Sequence, residues 1–198
     1  MLSNKRAVIT GGSDGIGFGI AKAFIQNGAS VLLVARNEER LQKSAATLSS
    51  SGAEVKILSG DLSDPRVITK FAADILHIWP EIDVLVNNAG TARFVSFAEM
   101  NEATLDLHLN LNVKAPYLLT QQLISALIAR KGVVINISSY FSHRMLPGRP
   151  STAYSLSKGA IDAFTKTLAY EMGPKGYVLM PSPPAPSIHH WYKALWID

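Results

Sequence analysis

Tyr154 and Lys158 stand four residues apart, a spacing that puts two side chains on one face of a helix. A phenol titrating near about pH 10 is a poor proton donor at neutral pH unless a neighbouring cation favours the phenolate. A lysine one turn further on supplies that cation, although such a pair alone also arises readily by chance. Ser139 closes the run VVINISS. Ser138 and Ser139 point to opposite faces if the strand extends that far, so only one of them faces a site. Asn112 lies four residues before Pro116, which has no N–H to give to the Asn112 carbonyl. Either that carbonyl is free to hold a water, or the proline simply kinks a long helix; spacing does not choose between them. Gly11, Gly15 and Gly17, in TGGSDGIG, follow an apolar run with GxxxGxG spacing. Glycines between a strand and a helix start let an anion approach backbone N–H groups and the positive helix end. A tight turn with no ligand is the plainer alternative.

These residues need a scaffold, and the apolar pattern supplies one. RAVIT (6–10) and SVLLVA (30–35) are short, β-branched and apolar on both faces, as strands covered by helices on both sides must be. EVKIL (54–58), DVLVN (83–87) and VVINI (133–137) repeat the pattern. Helices are expected at 16–27, 38–49, 65–78, 104–129 and 153–171, the last stopping near Gly173-Pro174. Leu105, Leu109, Val113 and Leu119 form an apolar stripe read as core. Strict alternation predicts an α/β, doubly wound parallel sheet of three layers. Residues 1–176 read as one domain for nucleotide binding and catalysis. Residues 177–198 read as an atypical proline-rich tail, with at most a short strand at 177–180. Prolines 181, 183, 184 and 186 argue against helix and central strand alike.

Composition narrows the classes further. The 198 residues are 47% hydrophobic and 17% charged, which excludes a disordered chain, and cysteine is absent, which excludes disulfides and thiolate chemistry. A net charge of +4, spread along the chain, reads as solvated surface and argues against nucleic acid. No apolar run is long enough for a membrane span, and the N-terminus lacks a signal-like segment, so a cytoplasmic chain is expected. His189-His190 point apart on an extended chain with no third ligand at suitable spacing, so no metal site is expected. Strand 30–35 ends at Arg36 with no carboxylate before Glu38, favouring NADP over NAD, while Asp14 adds opposing negative charge.

Together TGGSDGIG, Asp61-Leu62, NNAG at 87–90, Asn112, Ser139 and YSLSK at 154–158 resemble the classical short-chain dehydrogenase/reductase family over residues 5–176. The resemblance implies a Rossmann fold and hydride transfer between NADP(H) and a small carbonyl or alcohol substrate, such as a ketone or a 3-oxoacyl compound. Tyr154 would be the acid or base, Lys158 its electrostatic partner and ribose ligand, Ser139 the carbonyl-oxygen donor, and Asn112 the main-chain holder of a relay water. Gly11, Ser13, Asp14, Gly15, Ile16 and Gly17 would line the cofactor phosphates, and Arg36 the 2′-phosphate. Asp61 and Leu62 would border the adenine, and Asn88, Ala89 and Gly90 the ribose. A homodimer through helices 104–129 and 153–171 is implied as well. The departure is at the carboxyl end, where the family's last strand, Pro-Gly turn and substrate lid have no counterpart, as in an alternative or truncated ending. A catalytically silent nucleotide-binding or interaction protein derived from that family is therefore the rival reading, and a chain that does not fold stably by itself is a third.

Overall fold

The computed structural model describes residues 2–49, 54–173 and the backbone of 178–181. Six strands form one parallel sheet: β1 (Arg6–Thr10), β2 (Ser30–Ala35), β3 (Val55–Ser59), β4 (Val84–Asn87), β5 (Val133–Asn136) and β6 (Val178–Pro181). Their order is β3-β2-β1-β4-β5-β6, so strand order reverses between β1 and β4. A doubly wound sheet opens a crevice at that reversal, outside the carboxyl ends of the strands. The central strands are buried on both faces, which is why they read as continuous apolar runs. Register follows from burial: Val8 pairs with Leu32 and Leu85 facing one core, and Ile9 with Leu33 and Val86 facing the other.

Helices α1 (Gly15–Gln26) and α2 (Glu38–Ser49) cover one face, with Ala21, Phe24, Ile25, Leu41 and Leu48 in that core. Helices α3 (Ile68–Ile78) and α5 (Ala115–Ala129) cover the other, which holds Phe71, Ile75, Leu119, Leu123 and Leu127. The expected helix 65–78 begins as a tight 3-10 turn at Pro65–Val67, capped by Asp64. The long α6 (Thr152–Met172) lies on the α5 side, its Thr165 bonded to Asn136 of β5.

Two expectations need correction. The stretch 104–129 is not one helix: α4 (Glu102–Leu109) passes into a π-helical turn, Asn110–Lys114, before α5 begins. There Ala115 N–H bonds to the Asn110 carbonyl, five residues back instead of four. The extra residue shifts the apolar register. Leu111, Ala115, Leu119 and Leu123 are therefore the buried set, while Leu105, Leu109 and Val113 are only half-buried. The strand VVINISS also stops early, at Asn136, so Ser138 and Ser139 lie in the following loop. At the last strand Pro181 is tolerated as the terminal residue, paired with Asn136, because β6 bonds only to β5 among the described residues. No seventh strand lies among the described residues. Residues 182–198, including His189-His190, fall outside them.

Candidate active site

Thr10, the last residue of β1, organises the glycine turn. Its buried hydroxyl donates to the Val86 carbonyl at 3.2 Å and accepts the N–H groups of Asn88 and Ala89, each at 3.0 Å. Asn88 Nδ2 then donates to the carbonyls of Thr10 (3.0 Å) and Gly11 (3.2 Å). The start of the NNAG segment is thus bolted to the glycine turn across β1 and β4. Gly11 N–H reaches back to the Val34 carbonyl at 2.7 Å. A β-carbon at Gly17 would come within 2.2 Å of the Gly11 carbonyl oxygen, so the helix start packs directly on the turn. Gly15 is the opposite: φ is +53°, and a β-carbon there would meet nothing within 4 Å. One glycine closes the turn and the other opens it to a ligand.

Asp14 caps α1, accepting Gly15 N–H at 2.7 Å, and its second oxygen lies 3.7 Å from Arg40. Its charge is therefore partly answered by α2. Ser13 accepts a bond from the Ser44 hydroxyl at its carbonyl, and Ile16 is more than half exposed beside the turn. Arg36, at the end of β2, is exposed and forms no ion pair among the described residues. Asp61 is exposed and accepts Ser63 N–H, while the adjacent Leu62 is buried in the core. A β-carbon on Gly90 would sit 3.1 Å from Asn112 Oδ1, so this segment passes close to the π-helical turn.

Asn112 is 1% exposed and its side chain is fully engaged. Oδ1 accepts Thr91 N–H at 2.8 Å, and Nδ2 donates to the Thr91 carbonyl and to Ser157 Oγ, both at 2.9 Å. The amide therefore clamps the loop after β4 to α6, and only its main chain is left for any further role. Asn112 sits inside the widened turn, so the chain before Pro116 holds a π bulge and not a plain α-helical turn.

On α6, Lys158 is buried and donates to the Ile137 carbonyl at 2.6 Å. Burial pushes its pKa down from the usual lysine value to about 8, with the Asp162 carboxylate one turn on pulling the other way. Its Nζ stands 5.9 Å from the centre of the Tyr154 ring, so the two residues share one face as their spacing requires. Aromatic rings surround Tyr154: Phe94 at 5.7 Å, Phe141 at 6.0 Å and His108 at 6.4 Å between ring centres. His108 is fully buried. Its Nε2 accepts Arg93 N–H (3.1 Å), which assigns the proton to Nδ1, facing the Thr104 carbonyl at 2.8 Å. Ser139 Oγ accepts Phe141 N–H at 3.3 Å, and its carbonyl accepts Ser142 Oγ. Ser138 instead faces Ser142, at 3.4 Å.

Beneath the site, Asn87 Nδ2 donates to Thr120 Oγ1 and Asn136 Oδ1, and Asn136 Nδ2 donates to Thr165 Oγ1. This buried network locks the ends of β4 and β5 to α5 and α6. Sequence reasoning missed Thr10, Asn136, His108, Ser157 and the aromatic wall. Polar residues closing apolar strands at Thr10, Asn87 and Asn136 were the available signal. Among the described residues no cluster of metal-ligating side chains occurs and no helix is long and apolar enough to cross a membrane.

The family model described as short chain dehydrogenase matches residues 5–182. The oxidoreductase UcpA of Salmonella typhimurium is 35% identical over 175 residues, covering 88% of this chain and 66% of that protein. The 3-oxoacyl-[acyl-carrier-protein] reductase FabG of Chlamydia trachomatis is 38% identical over 177 residues, covering 88% of this chain and 71% of the relative. Among solved structures, a metagenomic short-chain oxidoreductase in complex with NADP superposes with a TM-score of 0.86 at 35% identity. That match covers 94% of this chain and 84% of the other. The chain thus spans about two thirds of the length of the curated relatives it matches.

Proposed function

This chain belongs to the short-chain dehydrogenase family, and from that premise we propose that it is an NADP(H)-dependent oxidoreductase acting on a small carbonyl or alcohol. The observation that carries the proposal is the union of two parts. The Tyr154–Lys158 pair on α6 is joined to the glycine turn through Ile137: its carbonyl binds Lys158, and its N–H binds the Asn87 carbonyl beside the Asn88 bolt. The residues fit a dinucleotide, with Gly15 open to an approaching phosphate and Arg36 exposed at the strand end where a 2′-phosphate would be met. The similarity to an NADP-bound oxidoreductase supports the same cofactor.

When bound, the reduced nicotinamide supplies a hydride. The chain's own residues handle the rest. Tyr154 Oη gives a proton to the carbonyl oxygen as negative charge develops there, and takes it back in the oxidative direction. Ser139, whose hydroxyl accepts Phe141 N–H and can still give its own proton, donates a hydrogen bond to the same oxygen. Lys158, held by Ile137, presents an ammonium to the phenol and to the cofactor ribose. The Asn112 main chain, fixed by the amide's grip on Thr91, holds a water that refills the proton. Phe94 and Phe141 wall the tyrosine ring. Carbonyl, hydride and proton balance to the alcohol. Resemblance to a 3-oxoacyl reductase makes 3-oxoacyl compounds the first substrates to try.

The same reading has the chain act in the cytoplasm as a homodimer through α5 and α6, a face exposing Tyr117, Leu156 and Tyr170. Thermal shift with each cofactor tests the binding half of the proposal. At a hundredfold excess over Kd, NADPH is expected to stabilise by about 2.7 kcal/mol, with NADH giving a smaller rise. Equal, negligible responses to both would overturn the assignment.

A further inference from the structure

We propose that Asp162 is a positioning residue for Lys158 and that His143 closes over it. A chain of polar side chains, His143–Asp162–Lys158, would then tie the loop after Ser139 to the helix that carries Tyr154. The inference rests on the oxidoreductase reading for its purpose, though not for its geometry. Asp162 lies one turn after Lys158 on α6, and its side chain is only 12% exposed. Its Oδ2 is buried and has no hydrogen-bond partner among the described residues. A buried carboxylate oxygen left in that state costs stability, and such groups persist where they do something else. His143 Nε2 stands 3.0 Å away, out of line for an aligned hydrogen bond, and Lys158, one turn earlier on α6, is held toward its charged form by the same carboxylate.

Lys158 has to be charged inside a buried site that penalises charge, and Ile137 offers it only a neutral carbonyl. Asp162 is the counter-charge that keeps the ammonium protonated. The other groups facing this point from the packed elements are Tyr154 on the same helix and His108 on α4, whose acceptor Nε2 makes it neutral. Lys114 of the π-helical turn, Glu102 and Asp106 of α4, Arg144 beside His143 and Lys166 one turn beyond Asp162 are exposed. His143 is itself more than half exposed, so it covers the carboxylate from the outside. It belongs to the same loop as Ser139, so the contact also fixes where that loop meets α6.

The test is a pH titration of the full cofactor-free chain carrying ε-carbon-labelled lysine, with Lys158 assigned by its loss in Lys158→Arg. In the wild-type chain Lys158 is expected to titrate near about 8. In Asp162→Asn its midpoint is expected to fall by about one unit, and in Asp162→Glu to return toward the wild-type position. An unchanged midpoint in a folded Asp162→Asn chain overturns the proposal. Should that variant fail to fold, the wild-type chain decides. The Asp162 carboxyl carbon must shift at the same midpoint as Lys158, and a flat signal from about pH 7 to 9.5 overturns it. If the wild-type chain reduces no carbonyl yet both titrations behave as expected, the functional reading fails and the polar chain stands. In an active preparation, Asp162→Asn is expected to move the alkaline limb of the kcat/KM profile downward by the same interval, which loss of loop packing alone would not do.

Discussion

Lys158 is the residue whose physical state has the most consequences. Its folded pKa of about 8 lies below the ordinary lysine value of 10.5, so the unfolded chain binds more protons than the folded one between those values. The sign follows directly: holding a charged Lys158 destabilises the fold at neutral pH, and the penalty fades as pH rises from about 8 toward 10.5. Lys158→Met is therefore expected to melt higher at pH 7, by on the order of 2 kcal/mol after loss of the Ile137 bond. It should also lose the rise in stability above pH 8 and be inactive. Urea unfolding at pH 7 and pH 10 checks this, and a Met variant less stable at both would refute it. One single-residue placement was plain from spacing. Tyr154 and Lys158 had to share a face, and they do. Others were hidden because their partners lie far away in sequence: Thr10 acts on residues 76 to 79 positions on, and Asn136 on one 29 positions on. No local pattern encodes such pairs.

At the scale of elements, the glycine turn and the π-helical turn do the positioning. Two alanine substitutions separate closing from opening. Gly17→Ala drives a methyl into the Gly11 carbonyl and Asn88, so it is expected to destabilise the fold by about 3 kcal/mol and abolish NADPH binding together. Gly15→Ala meets open space and pays only for its positive φ, about 1 kcal/mol, yet it should still weaken NADPH at least tenfold because the methyl stands where a phosphate must approach. Thermal melts beside cofactor titrations distinguish them. Equal stability losses would remove the distinction. The strands were legible because burial on both faces leaves an unbroken apolar run; β1 and β2 begin and end where that pattern does. The helix through Asn112 was misread because a 3.6-residue repeat was counted across a turn that holds one residue more. The proline marked the place but not the remedy.

For the whole molecule, the two edges of the sheet divide the labour. The carboxyl edge carries the candidate chemistry, while the opposite edge is tied by Asp83. That nearly buried carboxylate accepts Arg6 N–H at 3.0 Å, Lys5 Nζ at 2.9 Å and Arg130 Nε at 3.2 Å, joining β1, β4 and the entry to β5. Burial by itself would raise its pKa, but the Arg6 N–H and the two cations outweigh that and hold it below the usual carboxylate range. A lowered folded pKa means stability present above about pH 4 and lost as pH falls through the folded value. Asp83→Asn is expected to lower stability at pH 7 and to flatten the acid limb below pH 4, read by acid-induced unfolding followed by circular dichroism. An acid limb as steep as wild type would exclude Asp83 as its source. Fold class was open to reading from the alternation of elements alone. The arrangement of the active edge was not, because it depends on which strand ends lie side by side.

The most direct measurement is NADPH oxidation with a panel of ketones and 3-oxoacyl compounds, run in parallel on the wild-type chain and Tyr154→Phe. The wild-type chain is expected to consume NADPH with at least one carbonyl. The phenylalanine variant should bind NADPH as tightly but turn over about 10²–10⁴-fold more slowly, having lost only its proton donor. Turnover undiminished in Tyr154→Phe would contradict the account at its centre.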